Sequence, residues 1–328
     1  MRPVLALVCA SCVLAGIAGF AQQQQPQQQQ QPSSEDAIIK VDVDLVNVLF
    51  SVRDKKGALI SDLTQDDFEV YEDGKLQQVR AFTRETDLPL TLGLLVDVSR
   101  SQENLIEVER RAASLFFSQV LRNKDMAFLI SFGSEAELLQ DYTNSKVLLE
   151  EGLRALRVAG GAYSPIGPGP VPTIGQPRGT ILYDAIYLAA DEKLKREVGR
   201  KAIVVITDGV DQGSRVQLRE AIDSAHRSDS MIYSIYYVDH RAYGGMFHPS
   251  DGDLKKMSEE TGGRVHRVDR KHTLEEIFDE IQREMRSQYA VAYSSTNPAR
   301  DGGFRKLEIK PKNKNYRVQA RKGYFASK

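Results

Sequence analysis

Through the middle of the chain, continuous apolar runs alternate with segments whose apolar residues recur at helical spacing. The apolar runs, which are typical of parallel strands buried on both faces, cover 90–96, 126–132, 202–207 and 231–238. The helical spacing is found in 103–121, 145–156, 180–197, 217–228, 253–261 and 274–287. This alternation predicts an α/β fold, a doubly wound and mostly parallel sheet with helices on both faces. Shorter strands are expected at 137–143, along one edge, and at 264–268.

The two flanks of this region have a different pattern, in which apolar and polar residues alternate with the period of a strand. Such segments are found at 38–50, 68–71, 76–82, 289–294, 305–310 and 316–320. Each flank alone supplies too few strands for a stable sheet. We therefore expect residues 38–86 and 288–328 to combine into one small β-sandwich-like domain, with the α/β domain of residues 87–287 inserted between them. Two separate β appendages are the alternative.

The amino terminus has the pattern of a secretory signal peptide in residues 1–21. Arg2 supplies the positive charge, 4–20 is an apolar run, and small residues precede the expected cleavage point. Residues 22–37 are rich in Gln and Pro and predict a disordered linker. The protein is thus expected to be secreted, or periplasmic and part of the cell envelope. The alternatives are an uncleaved anchor or a lipid at Cys12, and either would be the chain's one contact with a membrane.

Composition excludes several classes of function. Lys and Arg total 44 against 45 Asp and Glu, which argues against a nucleic-acid partner. Both cysteines, Cys9 and Cys12, lie in the predicted signal, so a disulfide scaffold, a thiolate zinc site and a cysteine nucleophile are excluded from the mature chain. The sequence contains no phosphate-binding P-loop, no G-x-S-x-G and no H-E-x-x-H. No small-molecule substrate is evident.

In such folds, ligands bind at the carboxyl ends of the strands. A set of oxygen-bearing side chains is expected at this edge of the predicted sheet. The set is Asp97, Ser99, Ser101, Thr180 and Asp208. Two carboxylates and three hydroxyls are hard ligands that suit Mg²⁺ or Mn²⁺, and without a thiol or a nearby His they disfavour zinc. Taken singly, the Ser and Thr residues could instead cap helices, and Asp208 could belong to a turn.

These residues resemble the metal-ion-dependent adhesion site of von Willebrand factor type A domains, and the resemblance covers residues 88–287. It implies that Ser99, Ser101 and Thr180 touch the metal directly, and that Asp97 and Asp208 do so directly or through water. The whole chain is similar to the secreted "VWFA-related" proteins of acidobacteria. That similarity rests on the segments 63–70, 179–186, 304–307 and 321–324. The departure from the pattern is a long loop rich in Gly and Pro, residues 159–178, which could reshape the binding rim.

The function expected from these residues is metal-dependent binding without catalysis. Two carboxylates only neutralise a divalent ion, so an open coordination position would attract an Asp or Glu carboxylate of a protein partner. A hydrolase that uses the ion as a Lewis acid is one alternative, but it lacks a general base or nucleophile among these residues. A purely structural metal is the other. The resemblance also implies that the last helix, 274–287, can shift along its axis, and a rigid junction is the opposing hypothesis.

Other polar residues receive plainer interpretations. Asp184, Asp191 and Glu192 are expected to be solvated or capping residues rather than catalytic ones. Asp211 is expected to cap the helix that follows it, and support of the metal ligands from behind is the alternative. His240 and His248 are interpreted as surface residues of a loop, because no Cys or third His accompanies them.

Overall fold

A computed structural model describes residues 45–85, 88–158, 179–244 and 248–327. The predicted signal peptide (1–21), the predicted linker (22–37) and the loop 159–178 lie outside the described residues. Four strands come first: β1 (Leu45–Arg53), β2 (Phe68–Glu72), β3 (Lys75–Leu76) and β4 (Val79–Glu85).

The middle of the chain forms a six-stranded sheet. Its strands are β5 (Leu90–Asp97), β6 (Met126–Phe132), β7 (Ala136–Thr143), β8 (Arg200–Thr207), β9 (Ser230–Tyr236) and β10 (Val265–Arg267). The order is β10-β9-β8-β5-β6-β7, and β7 alone runs antiparallel to its neighbour. Because β5 and β8 pair in parallel, their carboxyl ends lie side by side, and this juxtaposition positions the site.

Helices cover both faces of this sheet. They are α1 (Ile106–Val120), α2 (Lys146–Arg154), α3 (Leu182–Tyr187), α4 (Leu218–Ser228), α5 (Gly252–Thr261) and α6 (Leu274–Arg286), and α3 continues as a π-helical segment over Leu188–Leu194. Helices α1, α2 and α6 pack on one face and α3, α4 and α5 on the other. Successive residues of β5 point to opposite faces of the sheet and pack into the hydrophobic cores on those faces. Leu94 enters the first, whereas Gly93 leaves room for the ring of Phe128, which a Cβ would meet at 2.4 Å.

The flanking segments pair with each other. The last strands are β11 (Gln288–Ser294), β12 (Phe304–Pro311), β13 (Arg317–Ala320) and β14 (Gly323–Phe325). They form two four-stranded sheets with the first strands, in the orders β13-β1-β11-β4 and β14-β12-β2-β3. A shared core joins the two sheets and includes Phe50, Phe68, Tyr289 and Leu307. The predicted fold class, with its sandwich of N- and C-terminal strands, is confirmed, and the domain boundaries stay predictions.

The two parts meet at the end of α6. Glu284, fully buried on α6, accepts a hydrogen bond of 2.9 Å from Ser51 and pairs at 2.5 Å with Arg53, both on β1. The buried Arg200 donates to the carbonyls of Leu88 and Met285, which ties the start of β8 to the same helix. Among the described residues, no helix is long and apolar enough to cross a bilayer.

Candidate metal centre

Two carboxylates lie side by side at the carboxyl edge of the central sheet. Asp97 is the last residue of β5, and Asp208 follows β8 directly; the strands stay in register up to Val96 and Ile206. Neither side chain is exposed to solvent. The parallel register that the apolar runs predicted thus brings two negative charges into one buried place.

Two of the predicted hydroxyls join these carboxylates. The Oγ atoms of Ser99 and Ser101 lie 3.0 Å apart, and Ser101 Oγ donates to Asp208 Oδ2 at 2.6 Å. The backbone N–H of Ser99 donates to Asp97 Oδ1 at 2.9 Å, which closes a tight turn after β5. Because the single hydroxyl proton of Ser101 goes to Asp208, Ser99 donates to Ser101. Each serine oxygen still has a lone pair that can accept a cation.

The capping interpretation of these hydroxyls is wrong. Ser99 precedes a short 3-10 turn, Arg100–Gln102, but its side chain makes no capping hydrogen bond. Helix α3 begins after Ile181, so Thr180 is not its N-cap. The side chains of Ser99 and Thr180 therefore cap no helix, and capping does not account for their positions.

Thr180 lies at the same edge of the sheet. Its carbonyl accepts hydrogen bonds from the backbone N–H groups of Gln212 and Gly213, after β8, and the next N–H, of Ile181, donates to Gly133, after β6. Thr180 is therefore held between the loops that follow β6 and β8. Among the described residues, hydrogen bonds connect Asp97, Ser99, Ser101 and Asp208 into one network, and none joins the Thr180 hydroxyl to it.

The electrostatics of the site fit a cation. Burial, reinforced by the negative charge of Asp208, raises the pKa of Asp97 to about 7 from an ordinary value of 3.8. Within the described ranges no Lys or Arg forms an ion pair with Asp97 or Asp208. Two buried carboxylates without a positive partner are costly, and a divalent ion among these oxygens removes that cost. The donor set and its charge therefore fit Mg²⁺ or Mn²⁺.

Three further residues contact or surround the carboxylates, and the sequence did not single them out for that role. Thr207 Oγ1 donates to Asp97 Oδ2 at 2.6 Å, and the Tyr243 hydroxyl donates to Asp208 Oδ2. Glu109 on α1 is fully buried, and neither of its carboxyl oxygens has a partner among the described residues. Burial, and then the charges of Asp97 and Asp208, raise the pKa of Glu109 well above its usual range. A visible signal for Glu109 was its place on the apolar stripe of α1, between Leu105 and Ala112.

The remaining candidates serve the structure around the site. Asp184 accepts the backbone N–H groups of Arg215 and Val216, which precede α4, so it holds the loop before that helix and caps no helix. The expectation for Asp211 is wrong: it accepts from Tyr183 N, at the start of α3, and from Ser214. The helix after it, α4, is capped instead by a box that Gln217 and Glu220 form. His240 and His248 are exposed, consistent with a loop surface.

The sequence matches no protein-family model and no curated protein. Several solved structures resemble the chain. A von Willebrand factor type A protein from Catenulispora acidiphila is 11% identical over 87% of this chain and 74% of its own, with a TM-score of 0.48. BatB from Bacteroides thetaiotaomicron is 19% identical over 60% of this chain and 97% of its own, with a TM-score of 0.45. Proximal thread matrix protein 1 of the mussel byssus, with a zinc-occupied MIDAS motif, is 12% identical over 66% of this chain and 50% of its own, with a TM-score of 0.48.

Proposed function

We propose that this protein is a secreted or cell-envelope binding module that holds Mg²⁺ or Mn²⁺ at Asp97, Ser99, Ser101, Thr180 and Asp208 and captures a carboxylate of a protein partner. The observation that carries the proposal is the buried pair Asp97 and Asp208, joined through hydroxyls and without a described positive partner.

The charge of the donor set supports capture of an anion. Two carboxylates balance one divalent ion, and the three hydroxyls add no charge, so the occupied site is neutral. A ligand that enters an open coordination position then adds the next negative charge, and the side chain of Asp or Glu supplies the hard oxygen that Mg²⁺ and Mn²⁺ prefer. The same preference favours these ions over zinc.

A non-catalytic role is supported by what surrounds the carboxylates. Metal-assisted hydrolysis needs a base that reaches a substrate or a water on the metal. Glu109 is an additional carboxyl near the pair, but it is fully buried, and this burial raises its pKa well above the usual range. Because it has no access to the surface, Glu109 cannot reach a substrate at the rim.

Water-proton relaxation with Mn²⁺ tests the open position directly. Mn²⁺ bound to the protein relaxes solvent protons strongly when an exchangeable water occupies one of its coordination positions. We expect strong relaxation in the Mn²⁺ complex, which falls as glutarate, a small dicarboxylate, displaces that water. Asp208→Asn should show no protein-bound signal.

Weak relaxation with bound Mn²⁺ would indicate a closed, purely structural site and would contradict the proposal. Strong relaxation that glutarate leaves unchanged would contradict carboxylate capture while leaving metal binding intact. The Asp301→Asn variant, in the connection between β11 and β12, is the control because it removes one carboxylate far along the chain from the site.

A further inference from the structure

A groove of about 580 Å³ opens between the edges of two sheets, β10 of the central sheet and β13 of the sandwich. The two edges meet at one end, where Arg321 bridges to Thr261 and the Gln319 side chain donates to the Gly263 carbonyl at 2.6 Å. Two residues further along each segment, Val265 and Arg317 both line the groove. The groove is therefore a wedge that begins where pairing between the two edges stops. None of the five proposed metal ligands lines it.

The lining of the groove is strongly positive. Seven of its fourteen lining residues are Lys or Arg, and three are Asp or Glu. The acids are already engaged: Asp251 pairs with Arg267 at 2.6 Å, Glu259 lies 3.9 Å from Lys255, and Asp54 accepts backbone N–H groups. This leaves an excess of positive charge for a ligand.

Three of these cations extend into solvent. Lys55, Lys56 and Arg317 are exposed, and none forms an ion pair with another residue in the described parts of the chain. All three lie on the sandwich side of the groove, since Lys55 and Lys56 follow β1, Arg317 begins β13, and β1 pairs with β13. A segment bound along β10 in this groove would thus have these three positive charges on the opposite side of the groove.

The inner end of the groove is positive as well. Arg53 donates to the Gly57 carbonyl and pairs with Glu284, but its Nε is buried without a partner among the described residues. Arg264 lies 3.8 Å from the same Glu284 carboxylate. One carboxylate thus serves two guanidinium groups, which leaves a net positive charge at the inner end of the groove.

The edge of β10 offers main-chain hydrogen bonds in addition to charge. Arg264 O accepts from Ser234 N, and Val268 N donates to Tyr236 O, so these residues turn their main chain toward β9. Because the direction alternates along a strand, Val265 and Arg267 turn their N–H and C=O groups to the other side. There β10 is the last strand of its sheet, and an exposed edge of this kind can accept an added strand.

We propose that this groove binds an extended acidic segment of a partner protein, which adds to the edge of β10 and pairs its carboxylates with Lys55, Lys56 and Arg317. An extended peptide supplies both the carboxylates and the main-chain hydrogen bonds. Its alternate side chains project to the same face, while its amides pair with the strand. A sulfated polysaccharide matches the charge but has no row of main-chain amides for β10. This interaction goes beyond the metal site and requires no metal.

Fluorescence anisotropy in EDTA tests the proposal with a labelled peptide of about ten residues that alternates glutamate and threonine. We expect binding to the full chain, weakened by about tenfold in the triple variant Lys55→Gln, Lys56→Gln, Arg317→Gln, because three charge pairs are lost. The matched control removes three exposed cations elsewhere: Lys75→Gln, Lys312→Gln, Lys314→Gln. It should bind as the unaltered chain does. Both triple variants should keep the parent melting temperature, since the substituted side chains are exposed.

A second peptide separates strand addition from plain charge attraction. Replacing every threonine by proline keeps the glutamates but removes half of the amide donors, and we expect this peptide to bind several-fold more weakly. Equal binding of the two peptides, equal losses in the two triple variants, or no binding at all would overturn the proposal. So would dextran sulfate that binds more tightly than the peptide through the same three cations. Because EDTA is present throughout, failure here leaves the proposed metal site untouched.

Discussion

The hydroxyl of Thr207 donates a hydrogen bond of 2.6 Å to Oδ2 of Asp97, across the neighbouring strands β8 and β5. It also accepts the backbone N–H of Gly209 at 3.1 Å, so one side chain fixes both the carboxylate and the turn that carries Asp208. Residues that orient a ligand in this way strongly affect metal affinity without touching the metal.

Thr207→Val should therefore weaken Mn²⁺ binding by about tenfold while the protein stays folded, because the shape of the side chain is kept and the donor is lost. Isothermal titration calorimetry measures the affinity. The same substitution at Thr91, a buried residue near the other end of β5, is the control and should leave the affinity unchanged. Equal affinities in the two variants would show that the orientation of Asp97 does not matter.

As the pH rises, the raised pKa of Asp97 should lower the stability of the metal-free protein and strengthen the binding of the metal. Between about pH 4 and pH 7 the folded chain holds a proton on Asp97 that the unfolded chain has released. The free energy of unfolding of the metal-free protein should therefore fall as the pH rises through this window, by up to about 1.4 kcal/mol per pH unit from this group. Urea denaturation at several pH values measures it, and Asp97→Asn should lose that contribution.

Metal binding must displace the same proton. The affinity for Mn²⁺ should rise about tenfold per pH unit up to about pH 7 and then level off. Calorimetric titrations at pH 5, 6, 7 and 8 follow this change. An affinity that is constant over this range would indicate that Asp97 is already ionised in the metal-free protein.

Removal of residues 288–328 should unfold the N-terminal β segment. β11 lies between β1 and β4, and β12 lies between β14 and β2, so the truncation removes the strand that each N-terminal partner needs. Hydrogen exchange should show β1 unprotected, while β8, in the centre of the other sheet, stays protected within the same sample. Full protection of β1 in the truncated chain would show that the N-terminal segment folds alone.

Glu284 tests whether α6 is a rigid junction. Its bonds to Ser51 and Arg53 fix the end of α6 to the sandwich. Glu284→Gln should lower the free energy of unfolding by about 1–3 kcal/mol because a charged acceptor of buried hydrogen bonds is lost. The control is Glu275→Gln, which is exposed on the same helix and should change stability by less than about 0.5 kcal/mol. A rigid junction predicts unchanged Mn²⁺ affinity in both variants; a several-fold change in Glu284→Gln alone would show that the helix couples the sandwich to the site.

The sequence was most informative where burial alone decides the structure. Runs such as 202–207 are apolar on both faces, as a central strand requires, and so the carboxyl edge that carries Asp97 and Asp208 could be predicted. Period-two alternation says less. The segment 76–82 was expected to be one strand, but Leu76 ends β3 while β4 begins at Val79 in the other sheet of the sandwich. The alternation of apolar and polar residues gives no information on which sheet a strand joins. Strand β14 has three residues, too few to show such an alternation.

The surroundings of the site depend on contacts between distant segments. Tyr243 reaches Asp208 from a loop 35 residues away, and Glu109 becomes buried only when α1 packs on the sheet. The sequence places a polar side chain on a stripe or in a loop, but packing determines which carboxylate it meets. The position of Thr180 between two loops has the same origin, since it depends on the close approach of Gly179 and Gly213.

The central claim is that Asp97 and Asp208 hold a divalent cation, and a calorimetric titration with Mn²⁺ near pH 8 tests it most directly. The account predicts one ion per chain for the unaltered protein. It predicts no binding by Asp97→Asn or Asp208→Asn, although both variants should be at least as stable as the metal-free parent because the buried repulsion is removed. Folded variants that bind Mn²⁺ as tightly as the parent would contradict the claim.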